Sequence, residues 1–180
     1  MAMHVTVSKR PDSANLVERA REGDPAALGL LYDDFGASLF RLAYRLTGGR
    51  EDAEDVVHDV FVGLPEALAR YEERGRLRAW LGRVTARVAL MRQRGIRQRR
   101  EVGLDGAEEV AGAQGTAENL ALWAALDALP PAQRAVVVLK EMEGYTHAEI
   151  AETLGISPVT SRVRLLRALR RMRRHLEEER

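Results

Sequence analysis

Residues 146–164, THAEIAETLGISPVTSRVR, allow little choice of local fold. Thr146 followed three positions later by Glu149 is a capping box, so a helix starts there, and Ile150, Ala151 and Leu154 give it one apolar face. Gly155 supplies the left-handed residue that ends it. Ser157 is an N-cap with Pro158 at the first helical position, so a second helix begins at once and leaves at a steep angle. The spacing predicts a helix-turn-helix over 146–165. On a 3.6-residue period its second helix turns Leu165, Leu169, Met172 and Leu176 to one side and Thr160, Arg164, Arg167, Arg171 and Arg174 to another. That is the plan of a helix whose N-terminal end enters a major groove while its flanks touch phosphate. The candidate duplex-contacting side chains are Thr146, Ser157, Val159, Thr160, Ser161, Arg162, Arg164 and Arg167.

Charge along the chain says more than its sum. The formal net charge is only +1. Between 51 and 73, however, there are eight carboxylates against the single Arg70, and between 74 and 100 there are ten arginines and no acid. Residues 157–175 hold seven more arginines, again without an acid. Two basic surfaces separated by an acidic one point to two nucleic-acid contacts with a different partner between them. Arginine's planar fork suits phosphate and guanine edges better than an ammonium does, and Lys9 and Lys140 are the only lysines.

Apolar positions recur throughout at steps of three and four, and no alternation of period two survives, so the chain reads as all-α. A short helix runs from Asp12 or Ser13 to about Glu22, and Gly23, Asp24 and Pro25 end it and cap the next. Leu28, Leu31, Phe35, Leu39, Leu42 and Leu46 mark a long amphipathic helix that Gly48 and Gly49 stop. The acidic helix from Glu51 carries Val56, Val57, Val60 and Phe61 inward, and Pro65 predicts a kink or restart between Gly63 and Pro65. After 71–75 comes an arginine helix with Leu77, Trp80, Leu81, Val84, Val88 and Met91 on one stripe. Residues 101–116, with four glycines and few large apolar groups, read as a flexible tether, and 1–11 as a frayed tail. Beyond the tether, 117–128 is one helix, and Pro130 and Pro131 open another that runs toward Gly144. The organisation is therefore two small helical domains, 12–100 and 117–178, joined by a linker.

Several function classes fall away. There is no cysteine, hence no disulfide, thiolate metal site or thiol nucleophile. His4, His58, His147 and His175 are scattered, and no metal-ligand spacing, phosphate-binding glycine loop or nucleophilic triad accompanies them, so neither an enzyme nor a cofactor is expected. Asp52, Glu54, Asp55, His58 and Asp59 share a helix, but an interaction face accounts for them better than a metal does. The longest apolar runs, such as 135–139, are too short to span a bilayer, and the expected location is the cytoplasm. An operator-binding dimeric regulator would need a dimerisation helix or effector pocket, neither of which is evident. A helical adaptor for an acidic protein is the remaining alternative.

The motifs together resemble the extracytoplasmic-function sigma factors of bacterial RNA polymerase. LVERAREGDPAA (16–27), LAYRLTG (42–48), DAEDVVHDVF (52–61) and RAWL (78–81) are similar to that family's second region. ALDALPPAQR (125–134), EGYTHAEIAETLGIS (143–157) and RLLRA (164–168) are similar to its fourth. The resemblance implies that the helix-turn-helix reads the minus-thirty-five element as duplex. It also implies that Tyr71, Arg76, Arg83, Arg87 and Arg94 serve the minus-ten element as it is opened to single strands. The acidic segment 55–68, with Asp52, Asp55, Val56, His58, Asp59, Phe61 and Val62, would dock on the coiled coil of the largest subunit of core polymerase. An anti-sigma factor is an implied further partner. Within this frame Tyr71 is a candidate base-stacking group, although an aromatic at a helix end is more often packing, and Trp80 reads as core. A flexible tether would leave the two DNA readers unaligned in the free protein until polymerase fixes their separation.

Overall fold

The computed structural model describes residues 13–72, 76–101 and 117–178, and nine α-helices and one π-helical turn account for almost all of them. They are α1 (Ser13–Arg21), α2 (Pro25–Thr47), α3 (Arg50–Val62), α4 (Leu64–Leu68), α5 (Leu77–Glu101), α6 (Ala117–Asp127), α7 (Pro131–Val137), the π turn (Val138–Met142), α8 (His147–Leu154) and α9 (Pro158–Glu178). No strand occurs among the described residues. The frayed tail and nearly all of the expected tether lie outside them.

The first unit is built around α2. Asp24 caps it, its carboxylate accepting from the Ala26 N–H at 2.9 Å, and Pro25 opens the first turn. Gly48 ends it at φ 87°, with its N–H donating to the Tyr44 carbonyl. Leu31, Leu39, Leu42 and Leu46 line the buried side of α2, against α3 and α5, while α1 lies on α2 and α4. The break predicted at Pro65 is present. The α3 helix stops at Val62, the Gly63 N–H closes on the Asp59 carbonyl at 3.0 Å, and α4 restarts with Pro65 in its first turn. The restart buries Leu64 and Leu68 completely.

Two apolar residues do not face where the sequence pattern put them. In α5 the buried seam passes from Leu77 through Leu81 and Thr85 to Ala86 and Ala89, winding round the helix because steps of four exceed a turn of 3.6 residues. This drift carries Met91 to the outside, where it is 64 % exposed. In α9 the seam is Ser161, Ala168 and Met172, flanked by half-buried Leu165 and Leu176, which leaves Leu169 outside.

The second unit packs α6, α7 and α8 on α9. Its helix from Pro131 does not run on unchanged to Gly144. It widens into the π turn, with the Glu143 N–H reaching the Val138 carbonyl at 3.0 Å and the Tyr145 N–H reaching the Leu139 carbonyl at 2.9 Å. Gly144, at φ 74°, completes the turn and brings Tyr145 onto α5 of the first unit. The two units therefore touch, through α2 and α5 on one side and α7, the π turn and α8 on the other.

Candidate nucleic-acid interface

The helix-turn-helix is capped as its residues dictate. The Glu149 N–H donates to Thr146 Oγ1 at 3.2 Å, and the Glu149 carboxylate accepts from both the Thr146 N–H (2.9 Å) and the Thr146 hydroxyl (2.8 Å). Those two bonds hold the Glu149 carboxyl below the usual carboxylate range. Gly155 ends α8 at φ 64°. Ser157 Oγ then accepts from the Thr160 N–H at 3.0 Å and caps α9.

At the exposed start of α9 stand Ser157, Val159, Arg162 and Arg167, with Thr160 and Arg164 half-buried beside them and Thr146 exposed at the start of α8. Ser161 departs from expectation. It is fully buried, and its hydroxyl pairs with His147 Nδ1 at 2.9 Å, joining α8 to α9. Small size at the helix crossing, not contact with DNA, is what the site asks of it. Burial and the nearby Lys140 and Arg162 lower the pKa of His147, favouring the neutral ring.

On the first unit Arg76 and Arg87 are exposed and Arg83 is half-buried along α5; the Arg94 side chain lies outside what is described. Tyr71 is corrected from base stacking to packing. It is buried, with its ring 4.8 Å from that of Trp80 and tilted by 45°. Trp80 is half-buried against the core, as its place on the apolar stripe predicts.

The acidic face is split by an arginine that sequence reasoning passed over. Arg92 reaches back from α5 to pair with Asp55, with Asp52 at 3.5 Å and with Asp59 at 3.6 Å. Three aspartates one helical turn apart around a single guanidinium clamp α3 to α5, so part of this acidic stripe is structural. Its spacing, 52–55–59, was the available signal. Val56 is buried completely and cannot present a surface, which corrects its assignment to docking. Val62, 67 % exposed, can, and so can His58 and the open side of Asp59. Phe61 is half-buried, edge-on at 5.0 Å to Tyr32, which lines a groove with Gly36, Phe40, Val57 and His58. Among the described residues no three His, Asp or Glu side chains converge as metal ligands.

Comparison with known proteins supplies the frame for these surfaces. Residues 31–100 match the family profile described as Sigma-70 region 2, and residues 119–172 match Sigma-70, region 4. The chain is 32 % identical over 171 residues to the ECF RNA polymerase sigma factor SigL of Mycobacterium tuberculosis, covering 90 % of this chain and 96 % of SigL. This chain belongs to the ECF sigma factors.

A second ECF relative, SigE of Mycolicibacterium smegmatis, is 36 % identical over 148 residues, 77 % of this chain. The chain spans 57 % of the length of SigE. Among solved structures, CnrH in complex with the cytosolic domain of CnrY matches with a TM-score of 0.62 and 27 % identity, over 92 % of this chain and 97 % of CnrH. In ECF terms, α2 to α5 carry region 2 and α6 to α9 carry region 4. This ECF chain has one more feature the sequence did not announce: the buried Arg134 at the start of region 4, bonded to the backbone of region 2. No local signal marks it: Arg134 is the middle residue of the seven-residue α7, and the packing of region 4 against region 2 is what buries it.

Proposed function

We propose that the chain is a dissociable promoter-specificity subunit that binds core RNA polymerase, directs it to particular promoters and helps open the minus-ten element. The observation that carries this reading is the pairing, in family order, of an arginine-faced α5 in region 2 with a fully capped helix-turn-helix in region 4. Thr146, Ser157, Val159, Thr160, Arg162, Arg164 and Arg167 contact the minus-thirty-five duplex. Near the N-terminus of α9, arginine forks can reach guanine edges and phosphates, and Val159 can meet a thymine methyl. Arg76, Arg83 and Arg87, with Arg94 from its place in the sequence, track the strand released at minus-ten. With Tyr71 buried, capture of an unstacked base falls to other groups.

His58, Asp59, Phe61 and Val62 form the face offered to the coiled coil of the largest polymerase subunit, with Asp52 and Asp55 shared with Arg92. The protein itself performs no catalysis and works where polymerase works, in the cytoplasm. No described helix is long and apolar enough to cross a membrane. CnrH was solved with the cytosolic domain of CnrY, and a comparable anti-sigma partner is proposed for this chain. Mixing the purified protein with core polymerase and genomic DNA is the direct test. A stable holoenzyme that starts transcripts at a defined set of sites is expected; duplex binding without polymerase association would overturn the proposal.

A further inference from the structure

The buried seam of α5 ends at Ala89: Leu90 is half-buried, Met91 is exposed, and the helix still runs on to Glu101. Residues 90–101 make about 18 Å of helix at about 1.5 Å each, and they carry Arg92, Arg94, Arg97, Arg99 and Arg100. A helix of that length is marginal on its own, and among the described side chains none past Ala89 is buried, so apolar packing does not set its direction. Two neighbouring polar side chains do. Arg92 turns a different nitrogen to each of three α3 carboxylates: Nη2 to Asp55, Nε to Asp52 at 3.5 Å and Nη1 to Asp59 at 3.6 Å. Gln93 donates from Nε2 at 2.7 Å to the Leu46 carbonyl in the last turn of α2, where helix acceptors lack internal partners. One residue is tied to α3 and the next, about 100° round the helix, to α2, so both the tilt and the rotation of α5 are fixed.

We propose that Arg92 is a positioning residue for the minus-ten element: tied to the three aspartates of α3, it sets the direction in which the arginines of α5 are offered to the opened strand. This rests on the promoter-opening function proposed for the chain. From Arg83 to Arg92 the helix turns about 900° at about 100° per residue, so the two stand on opposite sides of α5. Arg76 and Arg87 lie within about 40° of Arg83 on the same count. Arg92 therefore grips the back of the helix whose front carries the DNA-facing stripe, and fixing the back fixes what the front presents. Its own nitrogens are spent on carboxylates, so it acts through the other arginines and not on phosphate. Held in one direction, they meet successive phosphates together; on a swinging helix end each contact would first have to order the arm, which lowers what the row can bind at once. The fork is what the place requires. A lysine's compact ammonium cannot reach three carboxylates from three separate nitrogens.

Because the chain has no cysteine, spin labels at Glu22→Cys and Gln98→Cys report, in the full chain, the distance from the body of region 2 to the end of α5 by pulsed dipolar spectroscopy. A narrow distribution is expected. Its width should at least double in Arg92→Gln and in Asp55→Asn, with Arg92→Lys between, while circular dichroism shows the helices retained. Asp55→Asn removes one carboxylate and leaves the arginine in place, so it decides the matter even if Arg92→Gln unfolds. Widths equal to wild type overturn the positioning role. The consequence for DNA is read with holoenzyme at saturating core and a single-stranded minus-ten oligonucleotide. In Arg92→Gln the plot of log affinity against log salt should flatten by about 1.4 or more, two phosphates at about 0.7 each. Flattening by about 0.7 would make Arg92 itself a single phosphate contact, and an unchanged slope would show that the direction of α5 does not matter; either result overturns the proposal. If the distances behave as expected but the wild-type holoenzyme starts no promoter-dependent transcripts, Arg92 still orients α5 and it is the promoter function that falls.

Discussion

Arg134 Nε and the carbonyl oxygen of Arg45 lie 2.7 Å apart, a charged donor on the last turn of a helix from the other half of the molecule. Burial lowers the pKa of this guanidinium, and the neighbouring Asp127 opposes that shift. Even lowered, an arginine stays charged across the ordinary pH range. Its bond is therefore a fixed electrostatic cap on α2 rather than a titrating switch.

Removing that cap should be felt. Arg134→Ala strips the Arg45 carbonyl of its charged donor and leaves Asp127 without its partner, a loss of about 1–3 kcal/mol for a buried charge-assisted bond. Arg134→Lys keeps the charge but cannot reach both partners with a planar fork, so it should fall between alanine and wild type. Urea denaturation gives the measure. An alanine variant with an unchanged midpoint would show that the interface contributes nothing.

Ser161 and Arg162 are neighbours in sequence with opposite surroundings, one fully buried and one exposed. Arg162→Ala should weaken discrimination among minus-thirty-five sequences by about 1–3 kcal/mol if it makes a bidentate base contact. Ser161→Ala should leave that discrimination intact and lower stability by at most about 1 kcal/mol through the lost bond to His147. Competition binding by the holoenzyme on promoter variants distinguishes them. Equal loss of discrimination in both would return Ser161 to the DNA face.

The pattern of what could be read from residues follows from how local each signal is. Caps and breaks are written in a few adjacent residues: Asp24 with Pro25, Thr146 with Glu149, Gly155, and Gly63 with Pro65 all act where the sequence places them. The two arginine groups were legible because charge clusters without reference to tertiary structure. Side-chain facing was less so, because a seam that drifts round a long helix moves Met91 and Leu169 outward without changing their spacing. Burial of Tyr71 and Ser161 depends on what packs opposite, which no single helix encodes, whereas the inward place of Val56 follows from its own helix pattern and only its docking role had to be corrected. The π turn at Val138–Met142 and the contact between regions depend on residues distant in sequence, and the sequence-based expectation of unaligned readers on a loose tether has its counterpart in a docked pair.

The capping box makes region 4 acid-sensitive in a defined direction. Glu149 has a pKa below its ordinary 4.5, first because its carboxylate accepts the Thr146 N–H. The unfolded chain thus binds the proton more readily than the folded one, so this contribution is fully present above pH 4.5 and is lost as pH falls through the depressed folded value. His147 works in the same direction from higher pH: its folded pKa lies below 6.5, and its contribution fades as pH drops from there. Glu149→Gln, which can still accept the Thr146 bond, should destabilise the protein at pH 7 and make little difference near pH 3. Urea midpoints across that range provide the check. A penalty that grows toward low pH would contradict the assigned sign.

Val56 and Val62 lie on the same helix six residues apart, yet one is sealed in the core and the other is 67 % exposed. Val62→Asp should leave folding within about 0.5 kcal/mol of wild type, as surface changes do. If Val62 lies in the polymerase contact, the new carboxylate is buried there without a partner, and affinity for core should fall by about tenfold, or about 1.4 kcal/mol. Val56→Asp places the same group inside α3's packing against α2, where an unpaired carboxylate costs several kcal/mol, and region 2 should unfold. Circular dichroism separates the two causes, because only the Val62 variant loses polymerase while keeping its helices. Native affinity for core in a folded Val62→Asp protein would move the docking face elsewhere on α3, toward His58 and the groove lined by Tyr32 and Phe40.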